Sequence, residues 1–151
     1  MKANEVSPPS LTKFQTHVRT AFAFTSRFGF SEIPLPRREF LNQFQVRMSN
    51  GEVTIVVEGI NWGEGADVHL EDSSGISVPL VLFVPPQHRS RHAKGRGSKS
   101  GQLSQIRSAA QYLKEYCTDV LSGDLTRFHA RASEWRRITR SDTSYQKREL
   151  P

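Results

Sequence analysis

Asp67, His69 and Glu71 stand at alternate positions of one short segment, and alternate residues of an extended strand share a face. Two carboxylates flanking an imidazole could hold a metal ion or orient the histidine as a general base. The same pattern is what the polar face of a two-sided antiparallel sheet shows, and that is the simpler reading. His88 and His92 are four apart, a spacing that would serve a metal on a helix. Five cations, Arg89, Arg91, Lys94, Arg96 and Lys99, share the stretch with three glycines and oppose both a helix and a dication, so these histidines read as solvated. Cys117 falls inside an apolar stripe, where a thiol behaves as a small hydrophobe; a nucleophile would need an exposed sulfur beside a histidine. No convergent catalytic set, metal site or cofactor site emerges, and a non-catalytic protein is expected.

Two stretches remain that could bind. "HRSRHAKGRGSKSGQ", residues 88 to 102, carries the five cations between an apolar run and an amphipathic one. A phosphate-cradling loop would need glycine four residues ahead of a Gly-Lys-Ser/Thr triplet; here Ser98 precedes Lys99-Ser100 and the counted-back residue is Ala93. The motif fails, leaving a basic loop that could meet a polyanion through diffuse charge. "GINWGEGAD", residues 59 to 67, brackets Trp62 and Glu64 with glycines. Trp62 could cap the edge of the core while the glycines admit a close neighbour, or it could stand exposed as an interaction anchor; the structural role is favoured.

Charge is polarised along the chain. The net formal charge is +6 over 151 residues, yet residues 51 to 75 hold six acidic side chains and no Lys or Arg. Basic residues gather in the loop and again at Arg127, Arg131, Arg136, Arg137 and Arg140. Such polarity suits an acidic partner at the basic regions, either nucleic acid or a protein face. A lone cysteine forms no internal disulfide and there is no C-x-x-C pair. The N-terminal segment lacks the apolar core of a secretory signal, and the longest apolar run, Ile76 to Val84, is half a membrane span and contains Pro79. These features predict a cytoplasmic protein with no membrane association, in a reducing compartment.

The elements that must position these residues are legible from periodicity. Leu11, Phe14, Val18, Ala21, Phe22 and Phe28 follow helical spacing, predicting a helix over 10–28 that Gly29 stops. Pro34 and Pro36 make 31–38 a connection. The period then changes to two: Val46 and Met48, the Asn50-Gly51 turn, and Val53, Ile55 and Val57 predict a strand pair. Val68 and Leu70 alternate in a third strand, and 76–84 supplies a fourth. Leu103, Ile106, Ala110, Leu113, Cys117, Val120 and Leu121 form a stripe on a closing helix of about 20 residues. Gly123 and Asp124 then turn the chain into a second helix carrying Leu125, Phe128, Ala132, Trp135 and Ile138. The expectation is an α+β fold: an N-terminal helix, a four-stranded antiparallel meander and a C-terminal helical pair packed on one sheet face. Residues 1–9 read as a flexible N-terminus, 10–140 as a single domain with the basic loop at 85–101, and 141–151 as a polar tail.

The stretches "FTSRFGF" (24–30), "VVEGINWGEGADVHL" (56–70) and "YLKEYCTDVLSGDLTRF" (112–128), in this order of elements, give a chain that resembles small uncharacterised bacterial proteins with a helix, a four-stranded meander and a helical corner. Some proteins of that look are thought to be immunity or toxin-neighbourhood proteins. The resemblance implies action by binding another protein, in an immunity-like or regulatory role. Weak, sequence-nonspecific nucleic-acid binding through the basic loop and C-terminal arginines is the alternative; the loop has no interleaved aromatic on which bases could stack.

Overall fold

The computed structural model describes residues 9–37, 42–60, 65–89 and 101–149. Helix α1 spans Pro9–Ala21. Proline is tolerated at the first helical position because that N–H has no intrahelical acceptor, and Leu11, Phe14 and Val18 are buried on one stripe. The helix expected over 10–28 tightens instead into a 3-10 helix at Ala23–Phe28. Thr25 is buried there and its Oγ1 donates to Phe22 O at 2.7 Å, the kind of side-chain bond that competes with α-helical pairing. Gly29, at φ +83°, ends the segment as expected.

Five strands, β1 (Ser31–Ile33), β2 (Gln45–Ser49), β3 (Val53–Ile60), β4 (Gly65–Asp72) and β5 (Ser77–Pro79), form one antiparallel sheet in chain order. Two sequence expectations are corrected here. The residues read as a pure connection before the prolines pair with β2, from Ser31↔Ser49 to Ile33↔Arg47; Pro34 limits that strand without preventing it. The apolar run 76–84 is a strand only as far as Pro79, after which Leu80–Phe83 forms a 3-10 helix. A strand would send alternate apolar side chains to the polar face, whereas the tighter turn buries Leu80, Leu82 and Phe83 together. The β2–β3 turn lies where Asn50-Gly51 places it: Gly51 adopts φ +94°, and Asn50 Oδ1 accepts the N–H groups of Glu52 and Val53 at 3.0 and 2.9 Å.

Closure is by three helices and not by the expected pair: α2 (Gly101–Tyr116), α3 (Thr118–Leu121) and α4 (Thr126–Glu149). The long closing helix breaks at Cys117, whose φ of −124° is outside the helical range. Gly123 at φ +102° makes the corner, and Asp124 Oδ1 accepts the Thr126 N–H at 3.1 Å to begin α4. That helix takes in most of the segment read as a polar tail. Ile138 is 38% exposed in spite of its place on the apolar stripe, so α4 has left the core by that turn.

Val46, Met48, Ile55, Val57, Val68 and Leu70 form the inner face of the sheet, packed with residues of α1, α2 and the start of α4 in one core. Close approach of α2 to the sheet depends on two glycines. A Cβ on Gly59 would stand 2.9 Å from Gln102 Nε2, and one on Gly65 would stand 2.7 Å from Gln105 Oε1. In the space those glycines leave, Gln105 Oε1 accepts the Ala66 N–H at 2.8 Å and Gln102 Nε2 donates to Gly65 O at 3.2 Å. Two helix amides thus complete β4 beyond the reach of β5, which pairs with His69–Glu71 only. No helix among the described residues is long and apolar enough to cross a membrane.

Candidate functional site

The outer face of the sheet carries the second set of alternating residues: Gln45 and Arg47 on β2, Val56 and Glu58 on β3, and Asp67, His69 and Glu71 on β4. Register makes Arg47 and His69 the two flanking partners of Val56. A chain of hydrogen bonds runs around that valine. Gln45 Nε2 donates to Glu58 Oε2 at 3.0 Å, and Arg47 Nε donates to Gln45 Oε1 at 2.9 Å. The Arg47 fork reaches across β3 to Glu71 at 3.4 and 3.3 Å, and His69 Nε2 lies 3.1 Å from Glu71 Oε2. Val56 is left with no exposed surface.

Of the three alternating residues singled out in the sequence, His69 and Glu71 belong to this network and Asp67 does not. Asp67 is exposed, is the register partner of Glu58, and has no ion-pair or hydrogen-bond partner among the described residues. Carboxylates directly opposite each other on neighbouring strands repel. Among the described residues, no three His, Cys, Asp or Glu side chains converge as a metal site.

Next to this pair the sheet opens into a cleft of about 490 Å³. It lies where β5 stops at Pro79 and the chain passes into the 3-10 helix Leu80–Phe83. Its lining includes the polar side chains of Glu58, Asp67, His69 and Arg89, the apolar residues Val68, Pro79, Leu80, Val81 and Trp135, and Tyr112. Arg89 is the one loop cation of the sequence reading within the described residues, and it belongs to a short turn following the 3-10 helix Pro86–His88. Its Nε donates to Val84 O at 2.8 Å, which fixes the guanidinium plane. Tyr112 Oη donates to His88 O at 2.8 Å, and the His88 ring stacks on Tyr116 with centroids 6.2 Å apart. The expectations placed on Trp62, Glu64, Arg91, His92, Lys94, Arg96 and Lys99 lie outside the described residues.

Cys117 is fully buried, and burial pushes its thiol up to about 12, the environment of an inert core residue. Gln45, Arg47 and Glu58 were passed over in the sequence, although their period-two spacing and the Asn50-Gly51 turn would have put them on the face of His69. Trp135 read as a core residue of its helix and Tyr112 was not singled out; both line the cleft through tertiary packing. No protein-family model, curated protein or solved structure matches the chain.

Proposed function

We propose that the protein is a non-catalytic binding module, and that the outer face of β2–β4 docks another protein through a basic surface of that partner. The carrying observation is the bonded network Glu58–Gln45–Arg47–Glu71–His69, closed over Val56. It holds long polar side chains in one arrangement before any partner arrives, which lowers the ordering cost of association. Arg47 and Glu71 neutralise each other within it, leaving Glu58 and Asp67 as the uncompensated charge, and complementarity to that charge selects a basic partner. An immunity-like or regulatory role is a form of this reading. Capture from host extract should recover a partner with the wild-type protein and with Lys13→Glu on α1, and lose it with Asp67→Lys at unchanged melting temperature. Equal recovery by both variants would place docking elsewhere.

A second reading has its own observation. Arg127 and Arg131 are engaged with Asp119 and Glu134 at 3.1 and 2.7 Å, but Arg136, Arg137 and Arg140 are exposed along α4 without a carboxylate partner among the described residues. Such a helix would bind nucleic acid weakly, without sequence preference and with steep salt dependence. Labelled DNA and RNA oligonucleotides of unrelated sequence, titrated at low and at physiological ionic strength, test it; tight, salt-resistant binding would put this reading first.

A further inference from the structure

The cleft beside Asp67 adds Arg89 and an apolar lining to the two carboxylates, Glu58 and Asp67, that the docking reading uses. We infer that it is a site for a small zwitterionic ligand of dipeptide size, with a carboxylate at one end, an ammonium at the other and apolar side chains between. The inference goes beyond the docking of a protein on the sheet face and does not depend on it. About 490 Å³ is within the range of small-molecule sites, which combine a mostly apolar lining with a few convergent polar groups.

Each part of the ligand is read from different lining residues. Arg89 lines the cleft and its Nε is engaged by Val84 O, which leaves the two terminal nitrogens as donors for a carboxylate. No ion pair joins it to a carboxylate among the described residues, although Glu58 and Asp67 line the same cleft. The cleft therefore holds one cation and two anions that form no ion pair with one another among the described residues, and a ligand bearing both charges can answer both. An ammonium between Glu58 and Asp67 would also relieve the repulsion that their register imposes. Val68, Pro79, Leu80, Val81 and the Trp135 ring offer the middle of the ligand an apolar surface.

The full chain, isotopically labelled, is titrated with L-leucyl-L-leucine, its N-acetyl derivative and its C-terminal amide, with binding read from amide and tryptophan indole shifts. The expected result is saturable shifts at Asp67, His69, Leu80 and Trp135 with the free dipeptide, and binding weaker by about tenfold or more for each blocked form, the loss of one charge-assisted contact. Arg89→Gln should then cease to distinguish the dipeptide from its amide, and Asp67→Asn should cease to distinguish it from the acetylated form. Asp67 is exposed, so the second variant keeps its fold and its spectrum reports on the site alone. Equal affinity for all three compounds, shifts away from the cleft, or no shifts from a folded spectrum would each overturn the inference. None of these outcomes bears on partner capture, so the two readings fail separately.

Discussion

Gln105 works as a substitute for a strand. Its carbonyl accepts the Ala66 N–H in a region where the side chain is 1% exposed, while its own Nε2 has no partner among the described residues. Truncation to Ala leaves a buried backbone donor unpaired, and the expected loss of stability is about 1–3 kcal/mol. Gln111→Ala, at an exposed site where the amide reaches only Glu115, should change stability by less than about 0.5 kcal/mol. Urea midpoints of the two variants make the comparison. Cys117 offers a second measurement. With its thiol held at about 12 by burial, it should resist alkylation at about pH 8 in the native protein and react fully in denaturant; rapid native labelling would mean that the helix break around it opens readily. The burial of Cys117 was legible in the sequence because it sits on a helical stripe. The role of Gln105 was not, since a lone polar residue on a buried face carries no sign of which backbone group it will meet.

Elements announced themselves according to how clear their period was. The β2–β3 hairpin and the Gly123-Asp124 corner combined strong periodicity with turn residues and formed as read. The run 76–84 had no period to distinguish a strand from a compact turn, and three residues before a proline were too few to register as β1. Leu113, with no exposed surface on α2, should cost about 2–5 kcal/mol when truncated to Ala. Its neighbour Lys114 is exposed, but its Nζ sits 4.8 Å from the Phe24 ring centroid, so Lys114→Ala should cost up to about 1 kcal/mol, not zero. Denaturation midpoints separate the two and test the assigned face. The approach of α2 to β4 is tested through Gly65, where Ala would press on Gln105 Oε1. Gly65→Ala should lose about 1–3 kcal/mol, and adding Gln105→Ala should cost less than the sum of the single changes, because the clash is then gone. Additive losses in the four-protein cycle would show that Gly65 is small for another reason.

For the whole molecule, several carboxylates tie stability to pH in one direction. Burial alone would raise the Asp72 pKa, but hydrogen bonds from Ser74 and Ile76 outweigh it and hold the carboxyl below its ordinary value. Glu32 is lowered by its bond to Arg19, and Asp124 by the Thr126 N–H. A folded-state pKa below the unfolded one gives stability that is present above the unfolded value and lost as pH falls through the folded value. His17, whose pKa is lowered by burial and then by Arg107 and Lys13, loses stability in the same direction as pH falls below the ordinary histidine value. Melting temperature should therefore decline slightly below about pH 6.5 and fall most steeply below about pH 4, and Asp72→Asn should flatten the acid fall; an unchanged acid fall in that variant would show that Asp72 does not carry it. Net charge and its asymmetry along the chain were visible from composition, but which charges cancel was not, because the pairing of Arg47 with Glu71 spans the width of β3. The margins of the sheet carry a further consequence. The outer strands, Ser31–Ile33 and Ser77–Pro79, are each three residues long, the first is followed at once by Pro34, the second ends in Pro79, and α2 amides finish the edge of β4. Among the described residues neither border offers the long unbroken row of free backbone groups that recruits strands from another chain into fibrils, so concentrated solutions should stay clear of amyloid-like growth.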